Sequence, residues 1–283
     1  MPITLLMGAM VSIQCGAALA KGLFPLVGAV GTATMRILLA AAMLALILRP
    51  WKNAASIRTN MRSVILYGLC LGLMNISFYA AIDRIPLGVA VALEFTGPLG
   101  VAILSSRRLI DLIWVALAAI GIAALAWGPS SGGALNLHGV VLALLAGLFW
   151  GLYIISGERA SHEHGQQAVA VGMIVAAIVA FPIGVSQSGT AMFNIAVLPL
   201  ALTVAVLSSA LPYSLELVAL RQLPRATFGI LMSMEPLIAT LAGYVLLGEY
   251  LTPLQWGAIA AIAAASAGAV WSAAQPPKLS EPL

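Results

Sequence analysis

The sequence predicts an all-α integral membrane protein of ten transmembrane helices, arranged as two inverted repeats of five helices. Three observations support this prediction: charge is scarce, ten apolar segments have membrane-spanning length, and one proline spacing occurs twice. Of the 283 residues, 62% are hydrophobic and 8% are Asp, Glu, Lys or Arg, whereas soluble domains carry about 25% charge. So few charged side chains cannot cover a water-facing surface of this size, and a lipid bilayer is the expected solvent.

Ten apolar segments are long enough to cross a bilayer, because a helix needs roughly 20 residues to span the hydrocarbon core. They cover residues 3–21, 28–48, 63–82, 87–105, 111–128, 138–156, 166–185, 196–219, 226–247 and 253–272. Very short loops around Pro86 and Pro224 separate the third segment from the fourth and the eighth from the ninth. The sequence therefore predicts ten spans, with both chain ends on one side of the membrane.

The lysines and arginines are divided unequally between the two sides that this topology creates. One side carries Lys21 and Arg84. The other carries Arg49, Lys52, Arg58, Arg62, Arg107, Arg108, Arg159, Arg221, Arg225 and Lys278. Cytoplasmic loops hold the excess of cations in membrane proteins, so both termini are expected in the cytoplasm. The same bias accounts for the net charge of +4 without a nucleic-acid partner.

The two halves of the chain share a proline pattern. Residues 67–99 align with residues 205–237 at a constant offset of 138, which pairs Pro86 with Pro224 and Pro98 with Pro236. Five spans per half is an odd number, so the halves must cross the membrane in opposite directions. The predicted repeats are residues 1–130 and 131–274, followed by a short cytoplasmic tail, 275–283. Sites at the interface of inverted repeats are typical of secondary carriers.

The second proline of each pair lies in the middle of a predicted span. Proline has no backbone N–H, so Pro98 and Pro236 each remove one helical hydrogen bond and free the carbonyl four residues earlier. Those carbonyls belong to Glu94 and Met232. We expect a helix break near the bilayer centre in each half, either as part of a site or as a plain packing kink, since proline is common in membrane helices.

Four ionisable residues fall well inside the predicted spans: Arg36, Glu94, Glu216 and Glu235. A charge at the bilayer centre costs about 2.5–3.5 kcal/mol even on insertion scales, and such groups pair, line a watery cavity or bind a ligand. Arg36 can neutralise only one of the three acids at full strength. At least one carboxyl is therefore expected to be protonated, or to hold a substrate ammonium or a coupling proton. The alternative is that Arg36 pairs with one glutamate while the other acids are protonated and have no function. Glu216, near the cytoplasmic end, could then simply be hydrated.

Polar and aromatic side chains at a comparable depth complete a predicted substrate cavity with these four residues. They are Gln14, Asn75, Tyr79, Tyr153, Tyr213 and Ser233. Each one alone is more typical of a hydrogen bond between helices, so the set carries the prediction. The three glutamates are the candidates for proton coupling.

Other signals do not indicate chemistry. The cluster of His162, Glu163 and His164 lacks the i, i+4 spacing of a zinc protease helix and is expected in a solvated loop. Cys15 and Cys70 lie in apolar runs and indicate core residues. The sequence shows no group of catalytic or metal-ligating residues, so neither an enzyme nor a cofactor is predicted. It also shows no selectivity-filter loop of the kind that would indicate a channel. Small residues at every fourth position of the last span, from Gly257 to Ala269, fit an internal contact or a homodimer seam.

The element before the last span resembles the drug/metabolite transporter superfamily of the EamA type. Members have ten spans in two five-helix repeats, which often close with a Gly-Glu pair, here Gly248 and Glu249. Arg36 and Trp150 also fit the pattern of this family. The first half departs from it, because Arg107 stands opposite Glu249 when the halves are aligned.

Longer stretches, 91–99, 105–108, 211–216 and 227–236, are similar to bacterial amino-acid exporters of this superfamily. The resemblance implies a multi-pass protein of the bacterial inner membrane that exports small amino acids, such as threonine or homoserine, in exchange for protons. Exporters of aromatic amino acids, purines or cationic compounds are the same-fold alternatives. A zwitterionic cargo would place its carboxylate on Arg36 and its ammonium on Glu94 or Glu235, while another acid would carry the proton.

Overall fold

The computed structural model describes residues 2–53, 61–105, 110–127, 135–165 and 167–274. Every secondary-structure element among these residues is a helix, which agrees with the predicted class. The α-helices are α1 (Pro2–Lys21), α2 (Phe24–Leu48), α3 (Met61–Ile82), α4 (Leu87–Glu94), α5 (Thr96–Ser105), α6 (Asp111–Trp127), α7 (Leu137–His164), α8 (Gln167–Ser188), α9 (Leu198–Ala205), α10 (Leu211–Gln222), α11 (Arg225–Met232), α12 (Glu235–Leu247) and α13 (Pro253–Ala274). A π-helical turn, Val206–Ala210, joins α9 to α10.

Eight segments of the described chain are long and apolar enough to cross a bilayer. Two shorter apolar segments, Asp111–Leu125 and Ile195–Ser209, accompany them. The prediction of a multi-pass helical membrane protein is confirmed by these segments, whose bounds lie close to those expected from the apolar runs.

Two segments are interrupted at corresponding places. The segment from Leu87 onwards breaks at Phe95, between α4 and α5, and the segment from Arg225 onwards breaks after Met232, between α11 and α12. Pro98 and Pro236 lie just after these breaks. Both segments also begin alike, because Pro86 and Pro224 precede them with nearly equal backbone angles, φ −56° in each and ψ 145° and 141°.

The helices pack mainly between the two halves of the chain. α3 lies against α7 and α8, α1 against α10 and α12, α2 against α8, and α6 against α13. Glycines allow the closest of these approaches. A Cβ at Gly97 of α5 would lie 1.9 Å from the carbonyl oxygen of Gly147, and a Cβ at Gly68 of α3 would lie 2.5 Å from that of Gly172. Close backbone contact of this kind stabilises helix packing in lipid.

At one end of the bundle, an ion pair and a helix cap share one carboxylate. The Lys21 ammonium at the end of α1 lies 2.6 Å from Glu249 Oε1. The other carboxylate oxygen, Oε2, accepts a 2.7 Å hydrogen bond from the N–H of Leu87, the first residue of α4. A negative group at a helix N-terminus stabilises its unpaired N–H groups. Glu249 thus joins α1, α4 and the loop between α12 and α13.

The histidine cluster does not form the expected loop. α7 continues through His162 and Glu163 to His164, and ends at Gly165, whose φ of 57° and N–H bond to the carbonyl of Ser161 cap the helix. The last, polar turns of α7 remain helical because they contact neighbouring helices. Glu163 accepts a hydrogen bond from Ser63 of α3, and His164 is buried. The prediction of a loop was wrong, whereas His162 and Glu163 are exposed as expected.

The small-residue stripe of the last span lies partly inside the bundle. Ala265 and Ala269 are buried in one cluster with Leu99 and Ala118, whereas Gly257 is exposed and has no side chain or backbone within 4 Å of the position of a Cβ. Half of the stripe therefore makes the internal contact that was one of its two interpretations.

Candidate functional site

A cavity of about 250 Å³ lies among α1, α2, α3, α4, α7, α10 and α12. Eight of the ten predicted binding residues line it. They are Gln14, Arg36, Asn75, Tyr79, Glu94, Tyr153, Glu216 and Glu235. Pockets for drug-sized ligands measure roughly 300–1,000 Å³, so this cavity suits a smaller molecule.

Arg36 of α2 is held in the cavity wall by neutral acceptors. Its Nη2 donates to Asn75 Oδ1, and its Nη1 donates to the hydroxyl of Ser208 at 3.2 Å and to the carbonyl of Ser208 at 3.4 Å. The guanidinium carbon lies 5.1 Å from the centre of the Tyr79 ring, within the range of a cation–π contact. These contacts fix the orientation of the guanidinium without neutralising its charge.

The guanidinium also keeps hydrogen-bonding capacity. It has five N–H donors, and the three bonds above use at most three of them. Its Nε has no hydrogen-bond partner among the described residues. Within the part of the chain that the structure describes, Arg36 forms no ion pair with a carboxylate. Its charge is therefore available to an anionic group that enters the cavity.

The carboxyl groups of Glu94 and Glu235 lie at the two helix breaks. Glu94 is the last residue of α4 and Glu235 is the first residue of α12. Both are buried, at 8% and 5% exposure. Pro98 and Pro236 interrupt the helices within four residues of these acids, so the breaks set the acids at helix ends inside the membrane. Glu216 of α10 lies at the cavity wall and is half-buried.

The two buried acids differ in their partners. Glu235 Oε1 accepts a 3.0 Å hydrogen bond from Gln14 Nε2 of α1. Glu94 has no hydrogen bond or ion pair among the described residues. One acid is therefore held by a neighbouring amide, and the other makes no such contact.

Aromatic rings form another part of the wall. Tyr153 of α7 stacks on Tyr67 of α3 with ring centres 4.9 Å apart. Trp150, one turn earlier on α7, meets the ring of Phe95 edge-on at 4.9 Å, beside the break that carries Glu94. These contacts attach the aromatic wall to both α3 and the α4–α5 break.

Two predicted binding residues are not among those that line the cavity. Ser233 does not line the cavity: its hydroxyl lies 3.1 Å from that of Ser266 on α13 and donates to the carbonyl of Gly229. It therefore links α11 to α13. Tyr213 lies in α10 by its backbone, and its side chain is outside the described part of the structure.

Other lining residues were not predicted. Ser208, Phe78 and Trp150 belong to the wall; Trp150 was noted for its resemblance to a family pattern, but not as a binding residue. Ser208 lies in the π-helical turn, and π-helical turns are frequent at functional sites. Among the described residues, no three His, Cys, Asp or Glu side chains are grouped so that they could hold a metal ion.

A multi-pass helical bundle with a small, charged internal cavity is typical of membrane transporters. Residues 137–271 match the EamA-like transporter family. The threonine/homoserine exporter RhtA of Escherichia coli K12 is 48% identical over 281 residues, which are 99% of this chain and 95% of the relative. The exporter of the same name from Salmonella typhimurium LT2 is 49% identical over the same shares.

The chain belongs to the EamA-like transporter family. This membership confirms the resemblance stated from the sequence, and it agrees with the expectation of a transporter and not an enzyme. A crystal structure of another protein shares the fold, with a TM-score of 0.60 and 15% identity over 96% of this chain and 99% of that one. At this identity the likeness concerns the fold alone.

Proposed function

We propose that this protein exports threonine, homoserine and similar small amino acids across the bacterial inner membrane by alternating access, in exchange for protons. The kinship supports the cargo, because the relatives that are 48% and 49% identical over nearly the whole chain are threonine/homoserine exporters. The observation that supports the chemistry is the cavity, in which Arg36 has no carboxylate partner among the described residues.

The proposed architecture has ten spans in two inverted repeats, residues 1–130 and 131–274. The proposal counts the eight long apolar segments and the two shorter ones as ten crossings. The helix breaks at Phe95 and at Ser233 differ by 138 residues, the offset of the sequence repeat, and the prolines before both interrupted segments have the same backbone conformation. Packing between the halves, such as α1 on α12 and α4 on α7, suits carriers whose repeats move against each other.

Both termini are proposed to be cytoplasmic, since this orientation puts most of the cations inside. The Lys21–Glu249 pair then lies at the outer end of the bundle. Together with the Leu87 N–H bond, it joins α1 and α4 at this end. Release of an exported substrate would require these contacts to separate.

A free amino acid is a zwitterion and needs a partner for each charge. Arg36 is proposed to bind the substrate carboxylate, because its guanidinium is oriented by Asn75, Ser208 and Tyr79 and keeps at least two free donors. Glu235 is proposed to bind the ammonium. Its position at the N-terminus of α12 stabilises a negative charge, and Gln14 holds one oxygen in place.

Glu94 is proposed to carry the proton. It is buried at the cavity wall and has no hydrogen bond or ion pair among the described residues, so a proton can be gained or lost without breaking an existing contact. Protonation from the outside would weaken the net negative charge around the ammonium and favour release. Glu216, half-buried and nearer the cytoplasmic end, is the proposed route of the proton to the inside.

The test uses purified protein in liposomes and two transport modes. Exchange of labelled threonine against unlabelled threonine needs no net proton movement, whereas accumulation driven by a pH gradient does. Glu94→Gln is expected to keep exchange within about threefold and to lose gradient-driven accumulation. Glu235→Gln is expected to lose both. Glu158→Gln, an exposed position on α7 outside the cavity, is the matched control and should change neither.

The outcomes separate the parts of the proposal. Absence of threonine and homoserine exchange in the unaltered protein, with exchange of another amino acid, a purine or a cationic compound, would reject the cargo. Gradient-driven accumulation that survives both substitutions would reject the roles given to Glu94 and Glu235.

A further inference from the structure

Gln14 carries a buried polar atom that the proposed ion pairs do not use. The side chain is 2% exposed and lines the cavity. Its Nε2 donates to Glu235 Oε1 at 3.0 Å, while its Oε1 has no hydrogen-bond partner among the described residues. A buried acceptor without a donor is rare in folded proteins because it loses its hydrogen bonds to water. At a cavity wall, such an atom can be satisfied by a water molecule or by a hydrogen-bond donor on a ligand.

The position of this oxygen is fixed relative to the proposed ammonium site. Because the same carboxamide donates to Glu235, its free oxygen lies within one amide group of the acid that takes the ammonium. A group that reaches it must therefore stand close to the α-carbon of the substrate. The neighbours of Gln14 on the cavity-facing side of α1, Ile13 and Ala17, are apolar.

Threonine and homoserine each have one polar group left once their two charges are bound. This group is a hydroxyl, on the β-carbon in threonine and on the γ-carbon in homoserine. It can donate a hydrogen bond to a carbonyl oxygen. The unsatisfied Gln14 Oε1 is thus complementary to the feature that the two amino acids share.

We infer that Gln14 is the specificity-determining residue of the carrier: its Oε1 accepts a hydrogen bond from the substrate hydroxyl and selects hydroxylated small amino acids over aliphatic ones of the same size. This inference rests on the proposed export of threonine and homoserine. A site that hydrogen-bonds a hydroxyl strongly rejects the analogue lacking it, because the buried acceptor is then left unpaired, whereas an apolar pocket discriminates weakly.

The comparison needs analogues that differ only at the hydroxyl. 2-Aminobutyrate is the shared parent of threonine and homoserine without the hydroxyl, and valine has a methyl group in its place in threonine. Unlabelled amino acids compete with labelled threonine in the liposome exchange assay. For the unaltered protein, the half-inhibitory concentrations of 2-aminobutyrate and valine are expected to exceed that of threonine by on the order of tenfold to a hundredfold.

Gln14→Leu removes the acceptor and keeps a side chain of similar bulk. The expected result is a ratio between 2-aminobutyrate and threonine close to one, through weaker competition by threonine. Gln187→Leu makes the same change at an exposed position at the end of α8, and it should keep the ratio of the unaltered protein. A Gln14→Leu variant that exchanges threonine with the original ratio overturns the inference.

A second measurement covers a variant that folds but no longer transports, since Gln14→Leu also removes a partner of Glu235. The readout is the rise in unfolding temperature of the detergent-solubilised protein on adding each amino acid. Stronger stabilisation by threonine than by 2-aminobutyrate is expected in the unaltered protein and not in Gln14→Leu; the same preference in both overturns the inference. If threonine and 2-aminobutyrate compete equally in the unaltered protein, the inference about Gln14 is overturned, but the proposed export of threonine is not. If the unaltered protein exchanges neither amino acid, the proposed function is rejected as well.

Discussion

Gly97 offers a direct test of how the break between α4 and α5 is packed. Alanine at this position would place its Cβ 1.9 Å from the carbonyl oxygen of Gly147. Ordinary van der Waals contact begins near 3.4 Å, so α5 and α7 would have to separate by about 1.5 Å at this point. The contact is backbone against backbone, and no side chain can rotate away to relieve it.

The expected cost of Gly97→Ala follows from this overlap. Overpacking of a close-packed interior costs about 1–3 kcal/mol. In chains of roughly this size, 1 kcal/mol lowers Tm by about 2–4 °C, so a fall of several degrees is expected. The same separation would displace Glu94, which lies three residues earlier at the break, and threonine exchange should fall together with Tm.

Gly100, one turn further along α5, is the matched control. A Cβ there has nothing within 4 Å, and alanine is favoured over glycine inside a helix by about 0.5–1 kcal/mol. Gly100→Ala should therefore keep or slightly raise Tm in detergent, measured at one fixed heating rate, and should keep exchange. Equal unfolding temperatures for the two variants would refute the close approach of α5 to α7.

Two further predictions concern the charged contacts. Glu249→Ala should lower the free energy of unfolding by about 2–3 kcal/mol, and Lys21→Ala should lower it by about 1 kcal/mol or less. Glu249 binds both the Lys21 ammonium and the Leu87 N–H, and a hydrogen bond to a charged group is worth more than a partly exposed ion pair. A lower unfolding temperature for Lys21→Ala than for Glu249→Ala would contradict the cap. Arg36→Lys should lower threonine exchange at least about tenfold and should also lower Tm, because a lysine ammonium cannot reproduce the planar fork that contacts Asn75 and Ser208. Exchange at the original rate would remove Arg36 from the site.

The course of the backbone was largely accessible from the sequence, because its causes are local. Apolar length determines where a helix can cross lipid, and the bounds of α1, α3 and α13 follow the apolar runs closely. Prolines lack an N–H, and the two interrupted segments break near Pro98 and Pro236. The extension of α7 to His164 was missed, because the polar last turns are supported by contacts with α3, which hydropathy does not reveal.

The candidate site was accessible only where charge made it conspicuous. Arg36, Glu94 and Glu235 stand out because charge inside a membrane is costly. Ser208 and Phe78 do not stand out, because serine and phenylalanine are ordinary in membrane helices. The contacts of each group could not be predicted either. Lys21 and Glu249 are 228 residues apart in the sequence, and the neutral contacts of Arg36 depend on how α2 packs on α3 and on the π-helical turn.

The proposed repeat explains why the two breaks carry their acids at different positions. At an offset of 138, Glu235 corresponds to Gly97, and Glu94 corresponds to Met232. In the first half, the place of a side chain at 97 is occupied by the carbonyl of Gly147, so no acid fits there. In the second half, the equivalent position has room for Glu235 and for its bond to Gln14. Packing of α7 on one break and α1 on the other thus makes the cavity chemically asymmetric, and an asymmetric cavity can assign one acid to the substrate and the other to the proton.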